Sequence, residues 1–165
     1  MIPSDGIAAP RLNAKIASSQ DTLARIRALP RPLVFTNGVF DVLHRGHVTY
    51  LEQARSLGAA LVVAVNSDAS VRGLGKGDDR PLNTLEDRMA VIGGLAAVDL
   101  VVPFDAETPR ELIAACLPDV LVKGGDYTKE TTAGAAEVIA AGGRFVPIPF
   151  ASAHSTTALV KRIRG

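Results

Sequence analysis

Leu33-Val34-Phe35-Thr36-Asn37-Gly38-Val39-Phe40-Asp41-Val42-Leu43-His44-Arg45-Gly46-His47 is an apolar run that breaks at a glycine and reopens as a helix. Leu33, Val34 and Phe35 predict a short buried strand, and Gly38 permits a tight turn. Beyond Gly46 and His47, the residues Val48, Leu51, Ala54, Arg55 and Leu57 recur at helical spacing. A strand that turns directly into a helix brings free backbone N–H groups to one point. The positive end of the helix dipole lies at the same point, which therefore suits a phosphate. His44 and His47 stand three positions apart. If residues 43–47 form the first turn, both imidazoles point to one side. The stretch thus predicts chemistry on a phosphate as well as its capture.

Working outward, five short runs rich in Val, Leu and Ile read as buried strands, at 33–36, 60–65, 99–103, 119–122 and 144–148. Helical patterns separate them, near 46–57, 84–95, 109–116, 130–141 and 155–164. Alternating strands and helices predict an α/β fold, a Rossmann-like three-layer αβα sandwich around a five-stranded parallel sheet. A further helix over 19–29, stopped by Pro30 and Pro32, precedes the first strand. Residues 1–18 read as a flexible N-terminal segment and 19–165 as a single domain. Open sheets bind ligands at the carboxyl ends of their strands. Thr36 to Asp41, Asn66 with Asp68, Lys123 to Tyr127 and Ser155 to Thr157 all fall at such ends or at the start of the last helix.

His44-Arg45-Gly46-His47, with Thr36 and Gly38 upstream, resembles the HxGH signature of the nucleotidyltransferase superfamily. Val65-Asn66-Ser67-Asp68, Arg80-Pro81-Leu82-Asn83, Glu86-Asp87-Arg88, Leu121 to Tyr127 and Ser155-Thr156-Thr157 extend the likeness. In that order, the blocks are similar to the bacterial heptose 1-phosphate adenylyltransferases, which make ADP-heptose for the lipopolysaccharide inner core. The resemblance runs from about Leu33 to the C-terminus. It implies strand order 3-2-1-4-5, with the crevice between the first and fourth strands. It also implies ATP and heptose 1-phosphate as substrates, Mg²⁺ as cofactor, a cytoplasmic location and a homo-oligomer. Some relatives fuse this domain to a sugar kinase, and a chain of 165 residues is too short for one. A separate heptose kinase is therefore expected in the same pathway.

The resemblance implies that His44 and His47 bind the triphosphate and stabilise the transition state. Nucleotidyl transfer is an in-line attack on the α-phosphorus, and donors aimed at the gathering charge lower that barrier. The acceptor phosphate is already ionised at pH 7, so no strong general base is needed. Gly46 has to be small where the nucleotide approaches. Val71 to Arg80 carries Gly73, Gly75 and Gly77 among Arg72, Lys76 and Arg80. It reads as a solvated loop or as a lid whose cations close over phosphates. Arg88 reads as a phosphate ligand or as a pin for its helix, and Asp41 as a helix N-cap that also touches the acceptor or a metal-bound water.

The expected catalytic set is therefore His44, His47, Lys76 and Arg88. The nucleotide is assigned to Thr36, Asn37, Gly38, Phe40, Gly46, Lys123, Gly124, Asp126, Tyr127, Ser155, Thr156 and Thr157. Adenine is expected along the backbone of 123–127. Asp41, Asn66, Asp68 and Arg80 are assigned to the sugar phosphate. No protein-built metal site is expected, because His-x-x-His lacks further ligands and the single cysteine is isolated. Cys116 reads as a buried structural thiol, and His154 as incidental.

Composition excludes several other classes. The net charge is +1, aromatics are 4%, and no long basic run occurs, which disfavours nucleic acid. No apolar stretch approaches the ~20 residues of a membrane span, and no secretory signal is visible at the N-terminus. Two rivals remain. One is a cytidylyltransferase for another small phosphorylated acceptor such as glycerol 3-phosphate. Such enzymes usually carry Arg-Tyr-Val-Asp where this chain has Ala96-Ala97-Val98-Asp99. The other is a nucleotide-binding regulatory module without catalysis.

Overall fold

The computed structural model describes residues 7–75, 77–150 and 155–165. Five parallel strands form one sheet: β1 (Leu33–Gly38), β2 (Ala60–Asn66), β3 (Leu100–Phe104), β4 (Val120–Gly124) and β5 (Arg144–Ile148). Their order is β3-β2-β1-β4-β5, as expected. The helices are α1 (Thr22–Arg27), α2 (Arg45–Arg55), α3 (Asp68–Gly73), α4 (Leu85–Gly93), α5 (Arg110–Cys116), α6 (Ala135–Ala140) and α7 (Thr156–Arg164). Among the described residues no helix is long and apolar enough to cross a membrane.

Strand periodicity divides the core in two. Val34, Leu61, Val63, Val65, Val101 and Val122 face one side, where Tyr50, Leu51 and Ala54 of α2 and Met89 and Ile92 of α4 cover them. Leu33, Phe35, Val62, Leu100 and Leu121 face the other, against Ile26 of α1, Ile113 and Cys116 of α5 and Val138 of α6. Both faces of β2 are covered, and all seven of its residues are buried. Cys116 is buried as expected, and burial pushes its thiol pKa up to about 11.

The register makes the crevice. β1 pairs with β2 from Leu33↔Ala60 to Gly38↔Val65. Against β4 it pairs only at Val34↔Val120 and Phe35↔Leu121. Beyond Phe35 the two central strands part, so the ends of β1 and β4 face one another across a gap at the switch in strand order.

Three expectations change. Part of the segment 1–18, expected to be flexible, is built into the fold. Arg11–Lys15 forms a 3-10 helix, Ile16 bridges Val101, and the Ala17 N–H donates to Val101 O at 2.9 Å. The Lys15 ammonium also donates to Leu95 O at 3.0 Å. Second, the loop or lid at 71–80 overlaps the end of α3, which is capped by Ser67 and has Val71 buried. The loop proper begins at Leu74. Third, α6 starts at Ala135 and not near 130, because Thr128 and Thr131 close a turn of their own and Gly134 takes φ 85°.

Candidate active site

The β1–α2 junction does not turn at Gly38, which ends β1 in extended backbone. The left-handed residue is Phe40, at φ 49°. Its ring folds back over Gly38, where an added Cβ would lie 2.9 Å from Phe40 Cε2. Gly38 thus makes room for a ring. That ring meets the His47 imidazole edge-on, with centroids 5.4 Å apart.

His44, not Asp41, is the N-cap of α2. Its Nδ1 accepts the Gly46 N–H at 3.1 Å, and His47 Nδ1 accepts the His44 N–H at 3.4 Å. This is a capping box built from two histidines. The rings stack, with centroids 3.9 Å apart and planes at 28°. With each Nδ1 accepting, the proton of each neutral ring sits on Nε2, which becomes a donor. Burial, with a smaller push from His44, lowers the His47 pKa to about 4. His47 is therefore a neutral donor at pH 7.

The same shift has a consequence for stability. An unfolded chain takes up a proton near pH 6.5 that the folded site resists until about pH 4. The contribution of neutral His47 is complete above pH 6.5 and drains away as pH falls towards 4. Chemical denaturation between pH 7 and 4.5 should show wild type losing more stability than His47→Gln. Parallel curves would contradict this.

A cavity of about 360 Å³ opens beside these groups. Asn37, Gly38, Phe40, His47, Asn66, Lys123, Gly124 and Tyr127 line it, all of them expected site residues. The Lys123 ammonium spans the gap to Asn37 O at 3.2 Å and Asn37 Oδ1 at 3.0 Å, and stands 5.2 Å over the Tyr127 ring. Asn66 lies at the floor and donates through Nδ2 to Ser70 Oγ at 3.0 Å. Thr36 is wholly buried, and its hydroxyl meets Tyr50 OH at 2.6 Å. Gly46 is buried under the histidine cap. Asp126 is exposed and does not line the cavity.

Tyr50, Leu74 and Phe150 also line it, and none of them was expected. Tyr50 follows His47 by three positions on α2, so helical spacing alone would have nominated it. Phe150 is an isolated aromatic shortly before the Ser-Thr-Thr block, and its role depends on the fold.

Several assigned residues are used elsewhere. The Asp41 carboxylate accepts the Leu82 N–H at 2.8 Å, the Asn83 N–H at 2.9 Å and Arg80 Nε at 2.7 Å. Its side chain is 1% exposed. Burial raises its pKa, but the bonds from Asn83, Leu82 and Arg80 outweigh that, and the carboxyl stays below its usual range. Asp41 thus clamps the 80–83 loop, where a sugar contact was expected.

Arg88, read as a phosphate ligand or as a pin for its helix, is 1% exposed. It donates to Val39 O at 2.8 Å, Asn83 O at 3.0 Å and Asp68 Oδ1 at 2.7 Å. Its guanidinium pins three segments together and holds Asp68 as well. Lys76 and His154 lie outside the described residues.

Ser155 caps α7, accepting the Ala158 N–H at 3.0 Å. The Thr156 hydroxyl donates to Val42 O at 3.0 Å, tying α7 to the β1–α2 loop. Thr157 and Arg80 line a separate cavity of about 320 Å³ together with Lys161 and Arg164. Thr156→Val keeps the bulk and loses the tether, at about 1 kcal/mol. Thermal denaturation should show that loss together with a higher KM for ATP. Unchanged values of both would remove the tether from the account.

A parallel sheet whose crevice is lined by His47, with His44 stacked on it as the cap of the following helix, defines a nucleotidyltransferase. The chain belongs to the cytidylyltransferase-like family, whose model matches residues 35–162. It is 58% identical over 156 residues to the D-beta-D-heptose 1-phosphate adenylyltransferase of Bordetella bronchiseptica, covering 93% of this chain and 96% of that one. It is 59% identical over 131 residues to the bifunctional protein HldE of a Shewanella species, and that match covers 27% of the longer relative. Among solved structures, the lipopolysaccharide core biosynthesis protein of Thermoplasma volcanium superposes with a TM-score of 0.60 at 27% identity. That match covers 74% of this chain and 98% of the other. Pantothenate synthetase of Thermus thermophilus shares the fold, with a TM-score of 0.55 at 20% identity.

Proposed function

We propose that the protein transfers the adenylyl group of ATP to D-glycero-β-D-manno-heptose 1-phosphate. The products are ADP-heptose, for the lipopolysaccharide inner core, and pyrophosphate, and the reaction takes place in the cytoplasm. The observation that carries this reading is 58% identity along nearly the whole of both chains to an adenylyltransferase for that sugar phosphate. His47 in the cavity wall, stacked on His44, supports it from the chemistry.

A phosphate oxygen of the acceptor attacks the α-phosphorus in line, and the bond from that phosphorus to the pyrophosphate oxygen breaks. The acceptor is a dianion near neutral pH, so the protein has no proton to remove. Its task is to orient two polyanions and to stabilise the charge that leaves. His47 lines the cavity and His44 stacks on it at the N-terminus of α2, and both are assigned to that charge. Lys123 supplies a cation from the other side of the gap. A neutral imidazole at His47 serves here because the role is donation of a hydrogen bond.

No carboxylate among the described residues lines the cavity. Among the described residues no cluster of three or more His, Cys, Asp or Glu can hold a metal ion. The donor set does not fit a protein-built Mg²⁺ site, so Mg²⁺ enters as part of the Mg·ATP substrate, held by phosphate oxygens and water.

Incubation with ATP and heptose 1-phosphate, followed by mass spectrometry, tests the reading. ADP-heptose and one equivalent of pyrophosphate are expected. ATP binding with no nucleotide-sugar product from any sugar phosphate would favour the regulatory module.

A further inference from the structure

We infer that Phe150 supplies the aromatic surface on which the nucleobase of ATP lies, over Gly124 and Gly125 on the β4 side of the cavity. The assignment deepens the adenylyltransferase reading and rests on it. A nucleoside triphosphate is a polyanion at one end and a flat ring at the other. The α2 N-terminus and the histidines suit the polyanion. The base needs an accessible flat apolar face.

Four aromatic rings line the cavity, and three are committed elsewhere. Phe40 is 8% exposed and packs on Gly38 and the His47 edge. Tyr50 is 5% exposed, with its hydroxyl held by Thr36. Tyr127 is as exposed as Phe150, at 46%, but carries the Lys123 ammonium over its face and has no glycine seat. Phe150 alone of the four combines 46% exposure with a seat on glycine backbone.

That seat is specific. A Cβ added at Gly124 would lie 2.6 Å from Phe150 Cζ and 3.2 Å from Tyr50 Cε2. One added at Gly125 would lie 3.3 Å from Phe150 Cε2, on a backbone already at φ 93°. The Gly125 N–H donates to Ile148 O at 2.9 Å, which fixes the pair beneath the ring. Two adjacent glycines therefore leave the room in which the Phe150 ring packs on their backbone. Phe150 and Tyr50, with centroids 5.9 Å apart and planes at 54°, complete an aromatic corner. A purine offers more face than a pyrimidine, so the corner favours ATP over CTP.

A base–aromatic stack is worth roughly 5- to 150-fold in affinity. Phe150→Ala should raise KM for ATP by about tenfold, with kcat within about threefold of wild type. The inhibition constant of inorganic tripolyphosphate, which has phosphates but no base, should not move. Phe150→Leu, which keeps the bulk and loses the flat face, should behave like Phe150→Ala and serves if the smaller side chain unfolds the protein. The chain has no tryptophan. Phe150→Trp therefore adds a single indole and should restore KM. ATP should quench its emission, and tripolyphosphate should bind without doing so.

Equal responses to ATP and tripolyphosphate would overturn the inference. So would an unchanged KM in both Phe150→Ala and Phe150→Leu, or a rise in the tripolyphosphate constant parallel to KM. The fluorescence titration needs no acceptor, so a wrong sugar assignment leaves its result standing. Failure of the wild-type protein to bind ATP would refute the adenylyltransferase reading, and this inference with it.

Discussion

His47→Ala lowers kcat by about 10²–10³, the loss expected when one preorganised donor to transition-state charge is removed. His44→Ala does the same. The two rings are one device: His47 caps the His44 N–H, His44 caps the Gly46 N–H, and the rings stack at 3.9 Å. Removing either ring frees the other to turn, so the double mutant is little worse than each single one. Each single replacement also removes a cap, at about 1 kcal/mol, and leaves the fold intact. His47→Gln retains a donor on a longer arm and falls between. Steady-state pyrophosphate release checks the rates, and circular dichroism checks the fold. A folded double mutant with near-normal turnover would remove these residues from the chemistry.

Arg88→Ala costs about 3–5 kcal/mol of stability, the size expected for breaking a buried charged network. The melting temperature should fall by roughly 10 °C. The guanidinium is fully buried and serves two backbone carbonyls and one carboxylate from separate segments. Asp68 is one-third exposed and can turn to water. The loss therefore falls mainly on the carbonyls of Val39 and Asn83 and on the space left behind. Arg88→Lys cannot reach three partners and restores only part. Differential scanning calorimetry decides between the two roles considered for this residue. Wild-type stability with a hundredfold fall in kcat would make Arg88 a phosphate ligand and not a pin.

The strands were legible because each is a β-branched run too short for a helix, bounded by turn residues. The observed β2 at Ala60–Asn66 and β5 at Arg144–Ile148 match or extend their expected spans by a residue. α3 was not legible. Its sequence is short, ends in glycine and shows no apolar stripe, and only the packing of Val71 and the Ser67 cap make it a helix. The HxGH pair was legible from its motif and spacing, but its capping role was not, because Asp41 reads as the more ordinary cap. The duties of Asp41 and Arg88 were not, since their partners lie 42 and 49 positions away. Asp before a helix looks like a cap, and an arginine in the first turn of a helix looks solvent-facing. Burial decides otherwise in both cases. Phe150 escaped because its seat is glycine backbone, which carries no side-chain signal of its own.

The most direct test of the central claim compares kcat/KM for two substrate pairs on one enzyme preparation, ATP with heptose 1-phosphate and CTP with glycerol 3-phosphate. A site built to hydrogen-bond sugar hydroxyls rejects acceptors that lack them, because its buried polar groups are then left unpaired. Asn66, buried in the cavity lining, is the group proposed for that bond. The ATP and heptose pair should win by at least about 10³, with ADP-heptose as the product. A faster reaction with CTP and glycerol 3-phosphate would contradict it.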